Sequence, residues 1–327
     1  MKELREAFEY EAEETNNVRL ELSAAVPVGP DNVRDGYDVP SVGKWLDFIN
    51  LMAYDFHGKW EKQAGHNAPL YAPSSDSEWR KQLSVSFAAQ MWTRLGAPKE
   101  KLVIGMPTYG RSFTLNDRNN YVVNSEAKDG GTAGEYTREA GFLSYYEACE
   151  MLHQGASYVW DDEMQVPYLV KDDQWVGFDD ERSIRNKMDW IKAQGYAGAM
   201  VWTVDMDDFN GTVCGSGVKY PLIGAIREEL LGIPRDTVAP GIEPADIDWA
   251  SVASSLSPQA ATTLPPAQRI DVQQLIKEAG ATPKRVLPAL LHKLPENVRE
   301  PRVFCYYTNW SHRSVKHIAH VTISQTS

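Results

Sequence analysis

Short apolar runs alternate with amphipathic segments through the first 232 residues of the chain. Leu4, Phe8 and Ala12 recur four residues apart, which predicts a helix over residues 2–15. The apolar runs predict four strands, over residues 19–27, 48–54, 102–106 and 197–203. Most of these runs are continuously apolar rather than alternating, a pattern typical of parallel strands that are buried on both faces.

Further helices are predicted between these strands. Residues 77–95 carry apolar side chains at a spacing of four, and the segments 181–194 and 221–231 show a similar pattern, whereas a polar loop is expected over 28–47. The order of strands and helices predicts an α/β fold with a parallel sheet. Residues 111–178 are rich in Gly, Tyr and Asp and interrupt this order, so we expect them to form an inserted α+β lobe.

The character of the chain changes after residue 232. Residues 233–300 are rich in Pro, Ala, Ser and Thr, as in a partly disordered linker. Residues 302–307 (RVFCYY) predict one further strand within a short final segment, 301–327. We therefore divide the chain at 1–232, 233–300 and 301–327.

Charge and hydropathy exclude several classes of protein. The net charge is -12, and residues 1–232 hold 37 Asp and Glu against 23 Lys and Arg. This acidic region is a poor match for nucleic acid, which needs clustered basic side chains. No apolar run is long enough to span a membrane, and residues after Met1 form a charged helix pattern rather than a signal peptide.

The cysteines leave two interpretations open. Cys149, Cys214 and Cys305 allow at most one internal disulfide, and three free thiols in a cytosolic protein are the alternative. Two sequons, at Asn210 and Asn309, favour a secreted protein only slightly, because such triplets are common by chance.

The chemistry-bearing motifs follow three of the predicted strands. They read MAYDFHG over 52–58, GMPTYGRSF over 105–113 and MVWTVDMDDF over 200–209, and WVGFDD follows at 175–180. Together these motifs resemble consecutive strands of the family 18 glycoside hydrolases, the chitinase family, over residues 1 to about 232. The resemblance implies strands five to eight of a (β/α)8 TIM barrel, with the inserted lobe between strands seven and eight.

In such a barrel the active site lies at the carboxyl ends of the strands. The resemblance implies that Tyr54 bonds the carbonyl of the substrate's N-acetyl group and that Asp55 holds its amide. It also implies five substrate-binding residues, Met52, Trp60, Tyr109, Arg111 and Trp202, and a disulfide between Cys149 and Cys214. Aromatic faces beside Asp, Tyr and Arg are the groups that a sugar needs for stacking and hydrogen bonding.

The family's catalytic motif, Asp-x-x-Asp-x-Asp-x-Glu, is absent from this sequence. Asp246 and Asp248 resemble it only superficially, since Ala250 stands where the Glu should be. We expect the motif to precede Met1, because residues 2–27 resemble the helix and strand that follow it in the family. Residues 302–311 resemble the family's first strand. The interpretation is a fragment of a tandem protein rather than a circular permutation, with 302–307 pairing in parallel with 198–203.

The implied function is hydrolysis of β-1,4-linked N-acetylglucosamine polymers by substrate-assisted retention in an extracellular parent protein. A chitin-binding lectin on the same fold is the alternative, and this chain alone is expected to be inactive. Chitin or chitooligosaccharides are the expected partners, with no cofactor, metal or protein partner. A metal site at Asp205, Asp207 and Asp208 and a catalytic base at His57 or His66 are the less favoured hypotheses.

Overall fold

The computed structural model of the chain describes residues 1–234 and two strands, 302–307 and 319–323. The helices of this part are α1 (Lys2–Thr15), α2 (Pro30–Gly36), α3 (Val39–Trp45), α4 (Val85–Arg94), α5 (Tyr145–His153), α6 (Glu181–Gln194) and α7 (Pro221–Leu231). The strands are β1 (Ser23–Val26), β2 (Phe48–Leu51), β3 (Leu102–Pro107), β4 (Tyr109–Leu115), β5 (Ala127–Gly130), β6 (Phe142–Ser144), β7 (Ser157–Asp161), β8 (Val166–Lys171), β9 (Gln174–Gly177), β10 (Gly198–Trp202), β11 (Arg302–Tyr307) and β12 (Ala319–Ile323).

The first sheet contains the strands predicted from the continuous apolar runs. Its order is β1-β2-β3-β10-β11-β12, and the first five strands are parallel while β12 runs antiparallel to β11. In the register, Gly198 of β10 lies opposite Val103 of β3 on one side and Arg302 of β11 on the other. The predicted parallel pairing of the final segment with the strand at 198–202 is therefore confirmed, whereas β12 was not predicted.

The second sheet forms the inserted lobe. Its strands follow the order β5-β4-β9-β8-β7, with β6 also paired to β4, and all of these pairs are antiparallel. It lies in sequence between β3 and β10, as the composition of residues 111–178 predicts. Its own apolar cluster centres on Phe113, Tyr168 and Trp175, whereas the main cluster lies around the parallel sheet.

Two stretches of the predicted secondary structure are wrong. The helix expected over 77–95 begins only at Val85, because Ser84 adopts an extended conformation and its hydroxyl caps the Phe87 amide. The preceding residues form a short 3-10 turn instead. The loop expected over 28–47 contains α2 and α3, both of which begin at or next to a proline, where a missing backbone N–H costs nothing.

A buried ionic network joins α6 to the loop after β2. The Lys187 ammonium is fully buried and donates to the Asp179 carboxylate (2.5 Å) and to the Ala68 carbonyl (2.6 Å). The neighbouring His66 ring lies between two lobe carbonyls, those of Pro167 (3.0 Å) and Phe178 (2.9 Å). Burial, reinforced by the charge of Lys187, lowers the pKa of His66 to about 3, so this ring is neutral near pH 7.

A disulfide joins the lobe to the loop after β10. Cys149 of α5 is bonded to Cys214, with their Cα atoms 5.1 Å apart, as the resemblance implies. The interpretation with three free thiols is therefore wrong. No helix in the described residues is long and apolar enough to cross a bilayer. The linker predicted over 233–300 lies outside the described residues except at its first two positions.

We expect denatured, unreduced protein to contain one free thiol per chain, that of Cys305. Replacing Cys149 and Cys214 together by Ser should lower the free energy of unfolding by about 2–4 kcal/mol, because the bond closes a long loop in the unfolded chain. Thiol titration in denaturant and urea unfolding measure the two effects. Three reactive thiols before reduction would contradict the bond.

The buried Lys187 should matter more than an exposed lysine of the same helix. Lys187→Ala leaves the Asp179 carboxylate buried without its cation, and we expect a loss of about 3–5 kcal/mol in the free energy of unfolding. Lys192→Ala is the matched control, since its ion pairs with Asp189 and Glu229 are exposed and should contribute at most about 1 kcal/mol. Equal losses in urea unfolding would contradict the structural role of Lys187.

Candidate functional site

The site is built on a residue with an unusual backbone at the end of β2. Asp55 has a φ of 58°, a conformation that costs free energy for any residue other than glycine. Asn67 fixes this backbone, because its side-chain oxygen accepts from the Asp55 amide (2.9 Å). The Asn67 side-chain amide donates in turn to the Tyr109 carbonyl (2.9 Å), and its backbone carbonyl accepts from Phe56. Asn67 is fully buried and joins the segment after β2 to the start of β4.

The Asp55 carboxylate accepts two hydrogen bonds from β4. The Tyr109 hydroxyl donates to Oδ1 at 2.7 Å, and Nε of Arg111 donates to the same oxygen at 2.8 Å. The Asp55 side chain is 37% exposed, so the carboxylate is held by the protein and still reaches solvent. Burial raises the pKa of Tyr109 well above its usual value, and the charge of Asp55 adds to the shift. The Tyr109 hydroxyl is therefore a stable donor near pH 7.

Arg111 is surrounded by aromatic rings. Its guanidinium carbon lies 5.3 Å from the centroid of Trp60, 5.1 Å from that of Phe142 and 5.6 Å from that of Tyr109. Cation–π attraction and the ion pair with Asp55 together fix the orientation of the arginine. Trp60 is 57% exposed, so part of its ring is open to solvent beside the Arg111 guanidinium.

Tyr54 lies beneath this arrangement and is largely buried. Its ring packs edge to face against Tyr109, with centroids 6.1 Å apart, and its hydroxyl lies 4.0 Å from the Met200 sulfur. Gly105 of β3 makes this packing possible. A Cβ at that position would lie 2.4 Å from the Leu51 carbonyl and 2.8 Å from the Tyr54 ring.

Met52 and Trp202 lie at the same edge of the parallel sheet, where β2 and β10 end. Both are half-buried and pack against the main core. The end of β10 is joined to that of β3, since the Thr203 amide donates to the Thr108 hydroxyl (2.9 Å) and the Thr108 amide donates to the Trp202 carbonyl (3.0 Å). All seven predicted site residues therefore lie at or next to one edge. The direct contacts join Tyr54, Asp55, Trp60, Tyr109 and Arg111.

The three acidic residues after β10 accept hydrogen bonds from nearby protein groups, and two of them bind backbone amides. Asp207 accepts from the amides of Leu222 and Ile223 at the start of α7, and burial raises its pKa to about 7 against the effect of these bonds. Asp208 accepts from the amides of the following loop, and Asp205 accepts from the Thr203 hydroxyl. Within the described ranges, no cluster of three or more His, Cys, Asp or Glu is arranged to hold a metal ion.

The two histidines have structural partners. His57 is buried with its Nδ1 at 2.7 Å from the Glu61 carboxylate, which also accepts from Arg80. Nε2 of His66 lies within hydrogen-bond distance of two lobe carbonyls, which hold the ring in place. The geometry gives no support to either histidine as a catalytic base.

Sequence reasoning missed three residues of the site. The first is Asn67, which lies in a loop. The second is Phe142 of β6, whose ring stacks on that of Tyr109 with the centroids 4.6 Å apart. The third is Met200 of β10, whose sulfur lies beside the Tyr54 hydroxyl. Met200 stands in the quoted strand motif but reads there as an ordinary core residue. Asn67 and Phe142 carry no sequence signal of their own, because their contacts arise only from the packing of the lobe.

Asn67→Ala should destabilise the protein because it breaks the link between the segment after β2 and the start of β4. The change removes the acceptor of the Asp55 amide and the donor to the Tyr109 carbonyl, and a buried polar group left without a partner costs about 1–3 kcal/mol. We expect a loss in that range or above it in urea unfolding. Asn119→Ala, in an exposed turn, is the control and should change stability by less than about 0.5 kcal/mol. A loss no larger than that of the control would contradict the role of Asn67.

Comparison with known proteins places these motifs in a family. The family model described as glycosyl hydrolases family 18 matches residues 1–207. A probable endochitinase of Caenorhabditis elegans is 46% identical over 241 residues, which are 71% of this chain and 38% of that protein. The chain spans half or less of the length of the curated relatives that it matches.

Solved structures agree with this placement. The chitinase TsES1 from Trichuris suis is 48% identical with a TM-score of 0.69, and the match covers 70% of this chain and 63% of that one. Human YKL-39, described as a pseudo-chitinase with retained chitooligosaccharide binding, is 42% identical with a TM-score of 0.68, over 70% and 63% of the two chains. The chain belongs to the glycosyl hydrolases of family 18.

Proposed function

We propose that this chain provides the acetamide-binding side of a site for β-1,4-linked N-acetylglucosamine chains. The observation that carries the proposal is the Asp55 carboxylate, which is held by Tyr109 and Arg111 and still reaches solvent. Both protein donors contact Oδ1 of Asp55. We therefore propose that Oδ2 accepts a hydrogen bond from the N–H of the sugar's acetamide. The Tyr54 hydroxyl donates to the acetamide carbonyl. Trp202 and Trp60 offer the flat apolar faces against which sugar rings pack.

The parallel sheet is proposed to be strands five to eight of a (β/α)8 barrel. Of the four neighbouring parallel strands β1, β2, β3 and β10, the last three carry the site residues at or beyond their carboxyl ends, which is where barrel enzymes bind substrate. The lobe between β3 and β10 then lies between barrel strands seven and eight and supplies Tyr109 and Arg111. The similarity to solved chitinase structures supports this assignment.

In the proposed reaction the substrate's own acetamide is the nucleophile. Its carbonyl oxygen attacks the anomeric carbon while an external carboxylic acid protonates the leaving oxygen. Tyr54 and Asp55 hold the acetamide in the orientation of attack, which is catalysis by positioning. The ion pair of Asp55 with Arg111 keeps the carboxylate in place while charge develops on the acetamide.

Hydrolysis needs a general acid that this sequence does not contain in the family's motif. We propose hydrolysis of chitin-type polymers for the protein that combines this site with such an acid, and binding alone for the present 327 residues. A carbohydrate-binding protein without activity is the second candidate, and a solved relative described as a pseudo-chitinase with retained binding supports it. An extracellular location is proposed because the disulfide needs an oxidising compartment.

Binding of tetra-N-acetylchitotetraose to the purified chain, measured by titration calorimetry, tests this proposal. Tyr54→Phe should weaken binding by about 3–10-fold, the worth of one hydrogen bond, and Asp55→Ala by about 10–100-fold, the worth of bonds to a charged group. Tyr121→Phe removes a hydroxyl from an exposed lobe tyrosine and should change nothing. Equal affinities for all variants would contradict the proposed site.

Measuring the release of chitooligosaccharides from a longer substrate distinguishes a chain that hydrolyses the polymer from one that only binds it. We expect no chitooligosaccharide cleavage by this chain above the level of Tyr54→Phe, because the chain has no carboxylic acid in the motif that protonates the leaving oxygen. Cleavage that depends on Tyr54 would contradict the assignment of binding alone. It would show that another carboxyl group of these 327 residues serves as the acid.

A further inference from the structure

We propose that Asn210 is a site of N-linked glycosylation and that its glycan covers an aromatic patch beside it. Asn210 begins the sequence Asn-Gly-Thr in the loop between β10 and α7. This triplet is the acceptor for transfer of an oligosaccharide in the secretory pathway. The sequence alone makes this a weak signal, and the structure strengthens it through the shape of the loop, the disulfide and the patch.

The loop presents the acceptor on a fixed turn. The buried Asp208 carboxylate accepts from the amides of Gly211 (3.0 Å), Val213 (3.0 Å) and Cys214 (2.8 Å). These bonds fix the backbone from Gly211 to Cys214. Asn210 is half-buried and Thr212 is exposed. Both acceptor residues therefore remain at the surface of the folded chain.

The middle residue of the triplet suits this turn. Gly211 has a φ of +72°, and a Cβ there would lie 2.5 Å from the Val218 backbone. Glycine meets both constraints without strain. The turn thus favours glycine at position 211. The Asn-Gly-Thr triplet is therefore compatible with the local fold.

The disulfide beside this loop indicates that the chain folds in the compartment in which glycans are attached. Cys214, four residues after Asn210, is bonded to Cys149. Stable structural disulfides form in oxidising compartments such as the endoplasmic reticulum lumen. A chain that acquires this bond in a eukaryotic cell passes through the compartment that holds the glycan donor.

The aromatic patch consists of Tyr136, Tyr146 and Phe209. Phe209 packs edge to face on Tyr146 at 6.0 Å, and Tyr146 packs in the same manner on Tyr136 at 5.6 Å. Tyr136 is 56% and Phe209 is 44% exposed. Neighbouring aromatic rings that are partly exposed offer a flat apolar surface on which another group can pack. The glycan is the occupant we favour, because Phe209 directly precedes its attachment point and the core N-acetylglucosamine residues have apolar faces.

In the transfer of the oligosaccharide, the side-chain amide of Asn210 is the group of this protein that reacts. Nδ2 of Asn210 forms a bond to the anomeric carbon of the oligosaccharide and loses one proton. The donor is a lipid-linked diphospho-oligosaccharide, and its lipid diphosphate departs with the electron pair of the broken carbon–oxygen bond. The chemistry belongs to the cell's transferase, and this chain supplies the acceptor.

The first experiment measures occupancy. The full chain is expressed in eukaryotic cells behind a cleavable secretion leader, with Asn309→Gln to remove the second acceptor. We expect glycopeptides at Asn210, and an electrophoretic shift that disappears on treatment with peptide N-glycosidase and in Asn210→Gln and Thr212→Ala, but persists in Thr212→Ser. Transfer takes place before folding is complete, and the folded loop matters because it keeps the modified Asn210 at the surface. Chain retained in the cell is therefore expected to show the same occupancy as secreted chain. Recovery of the Asn210 peptide without glycan from both fractions would overturn the proposal.

The second experiment tests the contact with the patch. The melting temperature is measured before and after enzymatic removal of the glycan, in the wild type and in Phe209→Ala. We expect removal to lower the melting temperature of the wild type and to have a smaller effect in Phe209→Ala, because the variant lacks the ring that the sugar covers. Equal shifts in the two proteins would overturn the contact.

Discussion

The Asp55 carboxylate is the point at which the parallel sheet and the lobe are joined at the site. Asp55 follows β2, whereas both of its side-chain donors, Tyr109 and Arg111, belong to β4. These groups meet because β2 and β3 are neighbours in the sheet and β3 leads into β4 through a single residue. A different pairing of β2 would separate the carboxylate from its donors, so the site depends on the strand order.

The loop after β2 is the mechanical support of this contact. Asn67 holds the left-handed backbone of Asp55, and the residues on either side of Asn67 are themselves fixed by buried polar groups. His66 is anchored to two carbonyls of the lobe, and the Ala68 carbonyl accepts from the buried Lys187. A strained backbone persists only where its surroundings hold it in place. The polar interior behind the site supplies that restraint, which explains why charged groups are buried there despite their cost in desolvation.

The sequence predicts the framework of this molecule better than its loops. The continuous apolar runs identify β2, β3 and β10, and the helix α6 has the predicted bounds because Asp180 caps its start and Gly195, in a left-handed conformation, ends it. The helix predicted over 77–95 is too long at its start, because Ser84 caps the helix and only one residue of the apolar spacing, Leu83, precedes this cap. The predicted site residues came from motifs at strand ends. Asn67 and Phe142 could not be found in this way, since their roles depend on contacts across the lobe.

The central claim is that the Asp55 region recognises the acetamide group. The most direct measurement is the ratio of affinities for tetra-N-acetylchitotetraose and for the β-1,4-glucose tetramer, which has the same backbone with hydroxyls in place of acetamides. The account predicts a clear preference for the acetylated chain in the wild type and loss of most of that preference in Asp55→Asn, which cannot present two carboxylate oxygens to the N–H and to Arg111. If the wild type shows no preference for the acetylated chain, or if Asp55→Asn keeps the full preference, the claim that Asp55 recognises the acetamide is contradicted.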